Sequence, residues 1–181
     1  MQYLNKTGVY FLMFIPAIII AGLYGSVHDQ ISFSFSTEYF THFKFIQFNT
    51  PWAQDFPRLG AAVVGAKATW WMGVLVFIVL GLFGFLFDSP KIMAIELFKS
   101  FLVVVLVGLI TGCLGLIYGY IVVNDQSIEQ YQSWIWSDVT HPVQFVRVGF
   151  MHNASYLGGL TGLLSAIVYL LFAHKRYTGL K

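Results

Sequence analysis

Four apolar stretches, each long enough to cross a bilayer and each nearly free of charge, constrain this chain more than any other feature. A hydrocarbon core about 30 Å thick takes about 20 helical residues to cross. The stretches at about 7–27, 58–87, 91–123 and 142–173 all reach that length. Inside such a core each backbone N–H and C=O must be satisfied within its own segment, which makes the stretches helices. The last three exceed the minimum by roughly ten residues, so they tilt or project beyond the hydrocarbon. The expected fold is an all-α membrane protein: a four-transmembrane-helix bundle forming one integral membrane domain over residues 1–181.

Composition points the same way. Hydrophobic residues make up 57% of the 181 and charged residues only 10%, against roughly 25% charged in soluble domains. The lipid bilayer is therefore the first partner. A net charge of +2, with its basic residues scattered, excludes nucleic acid. The single cysteine, Cys113, lies in an apolar run and can form no intrachain disulfide. Only Lys6 precedes the first stretch, and its exit, Gly25-Ser26-Val27-His28, is not a cleavage site, so it reads as a retained helix.

Charge in the short loops sets the orientation. Lys6, Lys91, Lys99, His174, Lys175, Arg176 and Lys181 lie on one side; Asp29, Glu38, Asp55, Asp125, Glu129 and Asp138 lie on the other, with only Lys44 and Arg58 among them. The basic side is cytoplasmic, which puts both termini inside and the loops 28–57 and 124–141 outside. In the first outer loop, Ile31-Ser32-Phe33-Ser34-Phe35-Ser36 alternates with period two, echoed by Phe43-Lys44-Phe45 and Gln47-Phe48. That pattern predicts a small extracytoplasmic cap containing short β-strands. Trp134 and Trp136 in the second loop suit the membrane interface.

Gly108, Gly112, Gly115 and Gly119 recur at spacings that put them on one stripe of the third helix, and the fourth offers Gly158, Gly159, Gly162, Ser165 and Ala166. These two helices are expected to pack closely. Pro16 removes a backbone hydrogen bond from the first helix and predicts a kink there.

Depth locates the chemistry. Counting about 20 residues outward from each cytoplasmic end, the first helix emerges at His28 and Asp29, the second near Lys67, the third near Asn124 and the fourth near His152 and Asn153. Arg58 and Arg147 lie farther out. All four counts place polar residues at the outer interface, and ionisable groups at such depth are site candidates. The candidate pocket comprises His28, Asp29, Lys67, Arg147, His152 and Asn153, roofed by the first outer loop with Glu38 and His42. The bland alternative is that His152 and Asn153 hydrogen-bond within the bundle and that Lys67 and Arg147 snorkel to phosphates. Glu38 and His42, at i and i+4, share a helix face. With His28 and His152, or His141, they form a candidate ligand set for a transition metal such as zinc. No HExxH, CxxC or GxSxG motif accompanies them. Haem between His28 and His152 is disfavoured beside Lys67 and Arg147. A transporter is disfavoured by the absence of an inverted repeat or a mid-depth ionisable residue.

The run His28-Asp29-Gln30, then Glu38-Tyr39-Phe40-Thr41, Lys44-Phe45 and Ala68-Thr69-Trp70-Trp71, resembles an uncharacterised family of bacterial four-helix inner-membrane proteins. The resemblance covers the whole four-helix layout; it implies a bacterial inner membrane and carries no activity. The loop order is also similar to the claudin type, whose paired loop cysteines and Trp-Gly-Leu-Trp pattern are missing here.

Two functional readings follow. In one, the outer pocket holds a metal or an anionic ligand, with His28, Asp29, Glu38, His42 and His152 as ligands or acid–base groups and Lys67 and Arg147 as anion contacts. In the other, the chain is a non-catalytic accessory subunit, or a homo-oligomer, docking a membrane-protein partner through Phe33, Phe35, Phe43, Phe45 and Phe48.

Overall fold

The computed structural model describes residues 5–179. Four long helices carry the chain: α1 (Lys6–Phe35), α2 (Pro57–Gly84), α3 (Pro90–Val122) and α4 (Pro142–Thr178). Each is long and apolar enough to cross a membrane. Their ends follow from local chemistry. The Asn5 side chain accepts a hydrogen bond from the Gly8 N–H at 2.8 Å and starts α1. Pro57, Pro90 and Pro142 open the other three, where a missing N–H costs nothing. Gly179, at φ 66°, closes α4 in the left-handed conformation that glycine adopts without strain.

α1 packs chiefly on α2, and α3 on α4. The expected glycine seam between the last two helices is present. A Cβ on Gly115 would lie 2.7 Å from the Phe150 carbonyl oxygen, and one on Gly162 would lie 3.0 Å from that of Val104. A second seam joins α1 and α2, where a Cβ on Gly73 would lie 2.6 Å from the Ala17 carbonyl oxygen and Gly25 meets Gly65 backbone to backbone. Small residues let backbones approach so closely. The outward faces stay apolar: Leu106, Ile110, Leu114, Ile117 and Ile121 are all exposed along α3. So continuous an apolar face suits lipid rather than water.

The cap corrects an expectation. Among the described residues there is no strand; the alternating segment Ile31–Ser36 instead extends α1 to Phe35, eight residues past the predicted end. The serines do not need a strand's outer face. Ser34 Oγ donates to the Gln30 carbonyl (3.0 Å) and Ser32 Oγ to that of Asp29 (3.4 Å), a local bonding open to serine on a helix. Ser36 then turns extended, and its Oγ accepts from the Tyr39 N–H, starting a π-helical turn, Tyr39–Lys44. A short α-turn (Phe45–Gln47) and a 3-10 turn (Pro51–Gln54) complete the cap, and a longer 3-10 segment (Ile128–Trp134) lies in the second loop.

The predicted sticky aromatic surface is largely turned inward. Phe33 and Phe45 are buried with Tyr39, Phe40 and Phe145 in a second apolar core beneath the cap, and Phe43 and Phe48 pack against its edge. Of the five, only Phe35 is exposed.

Candidate functional site

Beneath the cap, α1 and α4 bring three ionisable side chains together. His28, Asp29 and His152 are all buried, and one ligating atom from each lies within 4.8 Å of the others. His28 Nδ1 is 3.0 Å from Asp29 Oδ1, and His28 Nε2 is 2.7 Å from Ser155 Oγ. His152 Nε2 lies 3.3 Å from Ser32 Oγ and 3.9 Å from Asp29 Oδ1. The His152 ring stands edge-on to His28, at 4.7 Å between centroids, and stacks on Tyr39 at the same distance. Tyr39 and Lys44 both come from the π-helical turn, so the widened turn aims two cap side chains at the helical cluster.

Lys44 is buried too, at 5% exposure. Its Nζ donates to Gln47 Oε1 at 3.0 Å and sits 4.8 Å from the centre of the Phe43 ring. Burial pushes this ammonium below its usual pKa, and the nearby Asp29 carboxylate pulls it part of the way back.

These groups close one end of a cavity of about 330 Å³ that runs between the two helix pairs. His28, Asp29, Lys44, His152, Ser155 and the Tyr24 side chain line it near the cap; Ile20, Met72, Val76, Phe101 and Val104 line the rest. Trp71 of α2 and Tyr156 of α4 line the cavity and are also exposed, so it opens sideways between those helices. The Tyr24 hydroxyl is buried with no hydrogen-bond partner among the described residues. Such an orphan is costly unless a ligand satisfies it. A wider depression of about 670 Å³ around Tyr169, Phe172, Lys175 and Arg176 lies near the end of α4, open to the surroundings and remote from His28 and His152.

Only part of the predicted pocket assembles. Lys67 is exposed and donates to the Phe48 carbonyl at 3.0 Å, pinning α2 to the cap. Arg147 donates from Nε and a terminal nitrogen to the Val123 carbonyl and lies over the Tyr120 ring, closing the end of α3. Asn153 is exposed. His42 Nδ1 pairs with Thr41 Oγ1 at 3.0 Å.

Glu38 accepts from the Thr140 hydroxyl and from the Thr140 and His141 N–H groups, so its carboxylate is turned to the opening of α4. Of the expected ligand set, His28 and His152 come together, while Glu38 and His42 turn to other partners. A count of depth along a helix says nothing about which way that helix or a cap turn faces.

Ser155, Ser32, Tyr24, Tyr39 and Lys44 were not foreseen. Spacing held a signal for the serines: Ser32 is i+4 to His28 and i+3 to Asp29, and Ser155 is i+3 to His152, so each shares a helix face with a cluster residue, while its histidine partner lies on the other helix. A further polar group lies near the start of α3, where the buried Glu96 accepts from Lys99 Nζ and from the Tyr169 and Tyr177 hydroxyls.

No family model matches this chain, and no curated protein or solved structure matches it.

Proposed function

We propose that this is a multi-pass protein of a bacterial inner membrane, with both termini cytoplasmic, that takes an amphipathic small molecule sideways from the bilayer. The single observation that carries this reading is the cavity: apolar along its length, polar at the end beneath the cap, and open laterally between α2 and α4. Ligand sites are commonly apolar clefts with a few converging polar groups. Here the converging groups include the Lys44 ammonium and the Tyr24 hydroxyl, both hydrogen-bond donors. They suit a head bearing carbonyl, carboxylate or phosphate oxygens.

The convergence of His28, Asp29 and His152 favours a second reading, a metal such as zinc. It is the weaker one. Both ring nitrogens of His28 already face hydrogen-bonding partners, and a buried ammonium beside the cluster opposes a divalent cation.

The test is to purify the protein in detergent, extract it with organic solvent and analyse the extract by mass spectrometry, with elemental analysis in parallel. The wild type should carry a near-stoichiometric amphiphile, and Gly159→Phe should carry none. Gly159 lines the cavity, and a Cβ there would meet only the Met72 methyl, at 3.7 Å. Equal amphiphile in both proteins would put the lipid elsewhere, and stoichiometric zinc would favour the metal.

A further inference from the structure

Ser155, His28 and Asp29 are joined in a line. The Ser155 hydroxyl lies at one imidazole nitrogen, 2.7 Å away, and the Asp29 carboxylate at the other, 3.0 Å away. A carboxylate at Nδ1 holds the proton on that nitrogen and leaves the Nε2 lone pair facing the hydroxyl. This is the arrangement in which a histidine activates a serine, and it is recognised by geometry and roles rather than by sequence order or fold. All three side chains line the cavity. His152 Nε2 lies 3.9 Å from the same Asp29 oxygen, and its ring stacks on Tyr39.

From this geometry we infer that the protein cleaves a carboxylic ester of a long-chain acyl group, with Ser155 as nucleophile, His28 as general base then acid, and Asp29 as the residue that positions His28. The inference rests on reading the cavity as an amphiphile site. The acyl chain occupies the apolar length of the cavity, and its carbonyl lies at Ser155.

Ser155 Oγ bonds to the carbonyl carbon while its proton passes to His28 Nε2. The C–O bond to the leaving alcohol then breaks, and that oxygen takes the proton from His28. A water molecule adds to the acyl-serine carbonyl, giving its proton to His28. The Ser155 C–O bond then breaks, and the proton returns to Ser155 as the fatty acid leaves. No oxidant or cofactor is required.

Tyr24 supplies the donor for the carbonyl oxygen as negative charge develops on it. Its unpartnered hydroxyl faces Gly108 of α3, and Ser155 Oγ faces Gly112 one turn away, so both hydroxyls lie against the same glycine stripe. The glycine stripe thus does more than let α3 and α4 approach. It clears space where a side chain would displace the nucleophile, since a Cβ on Gly112 would meet both Ser155 Oγ and the His28 ring.

Ser155 Oγ also lies 2.9 Å from the Met151 carbonyl one turn back. Its single proton has two acceptors, and the reactive orientation is the one turned to His28.

The experiment uses the purified full-length protein in detergent with a long-chain alkyl fluorophosphonate, which phosphonylates activated serines. Displacement of a fluorescent fatty-acid analogue by the same probe reports non-covalent occupancy. The wild type should be labelled at Ser155, as located by peptide mass spectrometry. Ser155→Ala should abolish labelling, and His28→Gln should slow it by about 100-fold or more, the scale of general-base assistance. Thermal unfolding curves matching the wild type show which variants remain folded.

If His28→Gln misfolds, Tyr24→Phe keeps the test open, because loss of the oxyanion donor should also slow labelling while leaving displacement intact. A wild type that binds the probe by displacement but is never phosphonylated overturns the esterase inference and leaves the amphiphile reading standing. A wild type that shows neither overturns both.

Discussion

The Glu38 carboxylate reaches from the cap to the opening of α4, where it accepts from the Thr140 and His141 N–H groups. An anion placed there gains from the helix dipole as well as from the hydrogen bonds. Burial alone raises its pKa, but the bonds from Thr140 and His141 outweigh this and hold it below the ordinary value of 4.5. A lowered carboxylate pKa contributes stability that is full above the unfolded value and is lost as pH falls through the folded one. Thermal unfolding in detergent should therefore show a loss below about pH 4.5 that Glu38→Gln lacks. At neutral pH the same variant should be less stable by about 1 kcal/mol, because a neutral amide accepts more weakly than a carboxylate. An unchanged pH profile in the variant would mean that Glu38 holds nothing at the α4 N-terminus. Sequence alone paired Glu38 with His42 through their i, i+4 spacing. Its partners lie about 100 residues away, and no local pattern encodes them.

Among the elements, the glycine stripe of α3 was legible because a repeat of threes and fours marks one helix face whatever the tertiary fold. The partner stripe of α1 and α2 was not. Gly65, Gly73 and Gly81 of α2 recur every eight residues rather than every three or four, and they meet Gly25, Ala17 and Tyr10 of α1, so the seam is recognised only when the two are set side by side. The α1 extension was missed for a related reason: serines alternating with apolar residues fit a strand by period, yet bond back to their own helix carbonyls here. Gly115→Leu should destabilise the protein by at least about 2 kcal/mol or prevent it from accumulating, because a large side chain forces packed backbones apart. Cys113→Leu, two residues away and exposed, should unfold within about 0.5 kcal/mol of the wild type. Equally small losses in both variants, measured by thermal unfolding in the same detergent, would show that α3 tolerates bulk on either face and that the seam does not hold the pair.

For the molecule as a whole, counting residues per bilayer crossing placed His28, Asp29 and His152 at one level, and the fold brings those three together. The same count put Lys67 at that level, where it turns outward to the cap instead. Depth is set by helix rise alone, whereas facing depends on rotation within the bundle. The orientation across the membrane rests on charge. Lys91, Lys99, Lys175 and Arg176 cluster at the end where α2 turns into α3 and α4 finishes, and the cap end is mainly acidic. Moving the basic end across the bilayer would leave those lysines on the translocated side, which insertion disfavours. A cysteine scan tests this directly once Cys113, the only native thiol, is replaced by alanine. In spheroplasts, a membrane-impermeant maleimide should modify Gln132→Cys in the exposed 3-10 segment. It should reach Asp88→Cys, in the α2–α3 turn, only after permeabilisation. The reverse pattern would put the His28–Asp29–His152 cluster and its cavity end at the cytoplasmic face, where they would meet amphiphiles of the inner leaflet. Modification of both in intact spheroplasts would mean that α3, the one long helix between them, does not cross the membrane, and the four-span arrangement would fail.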